Sequence, residues 1–155
     1  MASQAYDTDL LRWIEEQTTL LRTGRFSELD YEHILEELED MGREQKVALQ
    51  SLFRQILIHL LQLQLSPATT PRGKWVDELV EFRSQAQTRL DETPSLRHYA
   101  DALFEKAWQQ ARRGADKSFQ AYGEVVQVPE SCPYSMEQCL DQDFIPAGAA
   151  HRQTP

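Results

Sequence analysis

From Leu49 to Leu65 apolar residues recur so densely at helical spacing that the chain can only fold by burying this segment on most of its sides. Leu49, Leu52, Phe53, Ile56, Leu60 and Leu63 follow the three- and four-residue steps of one helical face, and Leu57 and Leu61 widen it. This pattern predicts a helix from about Arg43 to Leu65 as the centre of the fold. At a rise of about 1.5 Å per residue it would cross a small domain, and other helices must cover it.

The rest of the chain supplies those helices. A first is predicted from Asp7, an N-cap residue, with Leu10, Trp13, Ile14, Gln17, Leu20 and Leu21 as its stripe and Gly24 as its stop. A second starts at the cap Asp30, carries Tyr31, Ile34, Leu35, Leu38 and Met41 on its apolar side, and ends or kinks at Gly42. A fourth follows Thr70-Pro71, with Trp75, Leu79, Phe82, Ala86 and Leu90 buried. A fifth opens at Thr93-Pro94 and runs to about Gly123, its small residues Ala100, Ala107 and Ala111 permitting close helix approach. Val125-Val126-Gln127-Val128 is too short and isolated for a sheet. Ser135-Met136-Glu137-Gln138 has the form of a capping box opening one short turn. The predicted fold class is therefore all-α: a single-domain bundle of about five helices over residues 6–146, with a short C-terminal helical turn and a disordered tail at 147–155.

A chain of 155 residues is long enough to bury a core of its own. Its net charge of −9 argues against nucleic acid, whose phosphates are bound by Lys and Arg, and against anionic membrane surfaces. No stretch reaches the ~18 apolar residues of a membrane span. The N-terminus has neither a basic region nor an apolar core, so no signal peptide is expected and the predicted location is cytoplasmic. The two cysteines, Cys132 and Cys139, have no redox or zinc spacing and read as free thiols in packing roles.

Two constellations are candidates for chemistry. The second helix carries Glu32, His33, Glu36, Glu37, Glu39 and Asp40, with Glu36 and Asp40 four residues apart and so on one face. His59 stands within the most apolar helix, on a polar stripe with Ser51, Gln55 and Gln62, and a buried imidazole must satisfy its ring nitrogens. Glu37 is the expected first partner of His59 and Asp40 the second. Together with Glu36 they would make a general-base or metal-ligating site, although a third ligand for a metal is not identifiable. The plainer reading is a solvated acidic face and a core histidine locked by one hydrogen bond. Arg72, Lys74, Arg83, Arg89 and Arg97 form a basic set expected to face the acidic helix or solvent. Phosphate-binding glycine loops, zincin motifs and nucleophile elbows are all absent, and no cofactor is expected.

Several short motifs in order resemble one family. They are Tyr6-Asp7-x-Asp9-x-x-x-Trp13, Leu20-Leu21-Arg22, Leu29-Asp30, Glu36-Glu37-Leu38-Glu39, His59-Leu60-Leu61, Trp75, Pro94-Ser95-Leu96 and Cys132-Pro133-Tyr134. The set is similar to a bacterial family of domains of unknown function, number twenty-nine in its series, from about Tyr6 to Pro146. Related sequences usually have Lys where this chain has Gln62. The resemblance implies a small all-helical fold and a bacterial cytoplasm, and it implies no activity.

The sequence thus favours a non-enzymatic protein-interaction or regulatory module whose partner is a protein or a second copy of itself. An enzyme or metal site built from His59 and the second-helix carboxylates is one alternative. An acidic, antitoxin-like partner of a basic protein is another.

Overall fold

A computed structural model describes residues 4–149. Among these residues the regular structure is entirely helical: α1 (Ala5–Thr8), α2 (Leu10–Arg22), α3 (Tyr31–Leu65), α4 (Arg72–Glu92), α5 (Ala100–Ala121) and α6 (Met136–Leu140), with 3-10 turns at Phe26–Glu28 and Pro94–His98. Four helices are long, and the short α6 is the predicted C-terminal turn. No described helix is long and apolar enough to cross a membrane. The chain divides into two compact units, Met1–Glu44 and Gln45–Pro155.

In the N-terminal unit the first helix is split. Asp9, not Asp7, caps the longer piece, its carboxylate accepting the Arg12 N–H at 3.2 Å. The stop at Gly24 is as predicted. Gly24 has φ +69°, and Arg25 N–H bonds Leu20 O while Gly24 N–H bonds Leu21 O, so the last carbonyls of α2 are satisfied by a left-handed residue that only glycine adopts without strain. Asp30 caps α3 as predicted, through a long 3.5 Å contact from the His33 N–H to its carboxylate. The predicted second and third helices are one. Gly42 is accommodated in the helix interior without a break, because a lone glycine lowers helix propensity by only about 1 kcal/mol and does not stop a helix.

The C-terminal unit holds the core. Leu49, Phe53, Ile56, Leu57, Leu60, Leu61 and Leu63 of α3 are fully buried together with Leu79 and Ala86 of α4 and Ala107, Ala111 and Ala115 of α5. Each large side chain contributes on the order of 1.5–3 kcal/mol by leaving water. The small residues on α5 admit α3 closely: a Cβ on Gly114 would stand 3.3 Å from the Ile58 Cδ1. Pro71 occupies the N-cap position of α4 with no side-chain cap, so Thr70 does not serve there. The predicted fifth helix starts later than expected. Leu96 N–H reaches back to Thr93 O and Tyr99 N–H to Leu96 O, which makes the Pro94 turn 3-10, and α5 follows it. At its far end Gly123, with φ +66°, ends α5 in the manner of Gly24. Ser135 and Gln138 form the expected capping box of α6. Of the predicted tail, residues 147–149 are described, and Gly148 is buried against the Arg72 guanidinium; residues 150–155 lie outside the described part.

Candidate functional site

His59 lies where the apolar pattern puts it, nearly buried on α3. Its Nδ1 is 2.7 Å from Gln55 O, one turn back. A carbonyl only accepts, so Nδ1 carries hydrogen and donates. Its Nε2 is 2.7 Å from Glu78 Oε2 on α4, and one proton serves those two atoms. The His59 hydrogen bond holds the Glu78 carboxyl below the usual carboxylate range, against the opposing effect of burial, and Lys74 at 3.6 Å adds to the lowering. The Phe82 ring meets the imidazole edge-on at 5.3 Å between centroids. Glu78 forms part of the wall of a groove of about 350 Å³, beside Gln62, Trp75, Phe119 and Tyr122. Gln62 leaves its buried Oε1 without a hydrogen-bond partner among the described residues. The arrangement gives a groove wall one carboxylate backed by an imidazole, a pair able to exchange a proton.

Neither Glu37 nor Asp40 is the partner of His59. Bringing them together required a fold-back at Gly42, and α3 continues through that residue instead. Glu37 accepts a hydrogen bond from the Tyr6 hydroxyl at 2.8 Å, which pushes the tyrosine pKa up to about 12. Asp40 pairs with Arg43 one turn on. Glu36 and Glu39 are exposed. Among the described residues no three His, Cys, Asp or Glu side chains converge to hold a metal ion.

The basic set also has other partners. Arg72 donates to Leu63 O at 2.7 Å, Lys74 approaches Glu78, and Arg97 pairs with Asp91. Arg83 is fully buried. Its Nε donates to Cys139 O at 2.7 Å and its Nη2 to Gln138 O at 3.1 Å, which fastens α6 to α4. Desolvation lowers its pKa, and its buried Nη1 has no hydrogen-bond partner among the described residues. Burial likewise raises both thiols, Cys139 further than Cys132, and leaves them poor nucleophiles.

A second polar cluster, which the sequence did not single out, centres on Asp30. Its buried carboxylate accepts the indole N–H of Trp13 at 3.0 Å and stands 2.6 Å from the Nδ1 of His33. Its backbone N–H donates to the side chain of Gln17 at 2.8 Å. Tyr6 stacks on His33 with ring centroids 3.8 Å apart. The Asp30 hydrogen bond raises the His33 pKa, desolvation opposes it, and the charges of Asp30, Glu36 and Asp7 add to the rise. The legible signals were Trp13 and Gln17 four residues apart on one face and a cap Asp three residues before a His. Over α2 lies an open basin of about 630 Å³, along which Arg12 pairs with Glu16 and Arg25 with Glu28.

The apolar stripes of this unit are largely uncovered. On α3, Tyr31, Leu35, Leu38 and Met41 are 58–61% exposed. On α2, Leu10, Ile14 and Leu21 are also exposed, and only Trp13 and Gln17 of the predicted stripe are buried. Charge is divided as unevenly. Residues 1–44 hold twelve acidic and four basic side chains, a net −8 of the chain's −9, and the remainder is nearly balanced.

The helical architecture of the described residues defines a small α-helical domain. The chain belongs to the family described as domain of unknown function DUF29, which matches residues 5–145. No curated protein and no solved structure matches it.

Proposed function

We propose that this chain is a protein-interaction module and that its N-terminal unit carries the docking face. One observation carries the reading: the α3 stripe of Tyr31, Leu35, Leu38 and Met41, contiguous over three helical turns, is left in water. A surface helix normally turns such a stripe to a core, and an exposed contiguous apolar patch on a folded chain marks a contact site. The setting we infer is the cytoplasm of a bacterium. Two unpaired cysteines fit a reducing compartment, and the family resemblance implies the host.

Photocrosslinking in the native host tests the reading, with a benzophenone amino acid placed at Leu38 or, as control, at the exposed Glu81 of α4. A crosslinked protein at position 38 and none at 81 is the expected result. Equal yields at both positions, or no adduct at 38, would overturn it.

A further inference from the structure

We infer that the occupant of this face is an amphipathic helix with basic flanks, supplied by a different protein; the inference rests on the docking reading above. The shape argument comes first. Tyr31, Leu35, Leu38 and Met41 form a ridge about 15 Å long on one side of a helix. A ridge of that form is covered best by a second helix, which sets its own i, i+3, i+4 side chains into the gaps.

Charge then selects the kind of helix. Glu32, Glu36 and Glu39 each follow a ridge residue by one position, so they run along one border of the ridge. All three are exposed, and none has an ion-pair partner among the described residues. The nearest cation on the same helix, Arg43, is engaged by Asp40. Lysine or arginine at the edge of an incoming apolar stripe would meet this border.

The same arithmetic argues against a second copy. Two N-terminal units face to face would bring two charges of −8 together, and like charges across an interface cost affinity. The other unit of a second copy is nearly neutral overall and offers no compensating excess.

The test uses the full chain and three synthetic helices of about twenty residues, long enough to span the ridge. All three carry the same leucine stripe, with lysine, glutamine or glutamate on the flanks. Binding is followed by fluorescence anisotropy, and the mass of the free chain by light scattering. The expected result is a monomer that binds the lysine helix about tenfold more tightly than the glutamine helix, since several rim charge pairs each add modestly to affinity. The glutamate helix binds weakest, and added salt erases the preference. The triple variant Glu32→Gln, Glu36→Gln, Glu39→Gln loses the preference and keeps its circular dichroism. Leu35→Asp with Leu38→Asp loses all binding.

Equal binding of the lysine and glutamine helices overturns the basic partner and leaves the docking face standing. A dimer that the Leu35 and Leu38 changes dissolve gives the face to a second copy, and again only the basic partner falls. A monomer that binds none of the helices, or binds them regardless of Leu35 and Leu38, overturns the inference. The crosslink at position 38 then decides whether the docking reading falls with it.

Discussion

Leu35 and Leu38 stand two heptads before Leu49 and Leu52 on one uninterrupted helix, yet the first pair faces water and the second pair is buried. The later stretch of α3 meets α4 and α5, and its leucines, Phe53 and Ile56 form the core with them. The earlier stretch belongs to a unit whose only buried hydrophobic side chain among the described residues is Trp13. What orders that unit is polar. Asp30 gathers Trp13 and His33 through its carboxylate and Gln17 through its backbone, and Tyr6 stacks above His33. Periodicity says which side of a helix is apolar. It does not say that the chain itself will cover that side. On the docking reading proposed above, the stripe left open beside a tight polar cluster is a surface kept in shape for another molecule.

The largest test of this contrast is truncation in each region. Phe53→Ala is expected to cost about 3–5 kcal/mol, through lost burial and the cavity left behind, read as a fall in the urea midpoint. Leu38→Ala should change the stability read from the same urea curve by less than about 0.5 kcal/mol, as exposed positions do. A large loss at Leu38 would mean that the ridge is buried in solution, and the contrast would break.

A smaller effect should separate the two units. Asp30→Ala removes the α3 cap and leaves the Trp13 indole and the His33 imidazole without their acceptor. A loss of about 1–2 kcal/mol is expected, as for other caps. Hydrogen exchange should show it over residues 4–44, with the amides of α5 unchanged. Equal loosening of α5 would show that the polar cluster supports the whole chain.

The smallest effect should be set by pH, and its sign differs between the units. His33 has its pKa raised above the ordinary 6.5, so the stability it adds is full below that value and is lost as pH rises through the raised one. Glu78 has its pKa lowered from 4.5, so its contribution is present above that value and is lost as pH falls through the lowered one. Raising pH from neutrality should therefore loosen the N-terminal unit first, and strong acid the His59–Glu78 contact. Site-resolved proton exchange measured across pH checks both. His33→Gln should flatten the alkaline limb, and Glu78→Gln the acid limb. If His33→Gln leaves the alkaline limb unchanged, the Asp30 pair is not its source.

The sequence by itself determined what is local. The caps Asp30 and Ser135, the stops Gly24 and Gly123, and the buried face of α3 from Leu49 onward follow from side chains bonding the nearest backbone groups and from a stripe too wide to leave in water. A lone glycine at 42 was ambiguous, because helix propensity is a weak preference that a long continuous helix overrides. Tertiary structure alone decided what depends on distant residues. Glu78 rather than Glu37 meets His59, because α4 lies against that side of α3. Arg83, spaced like any exposed basic residue, is buried because two carbonyls at the end of α6 accept its hydrogen bonds. The ridge from Tyr31 to Met41 stays open because no described part of its own unit packs over it. Burial depends on what comes to lie across a face, and a linear pattern records only the face.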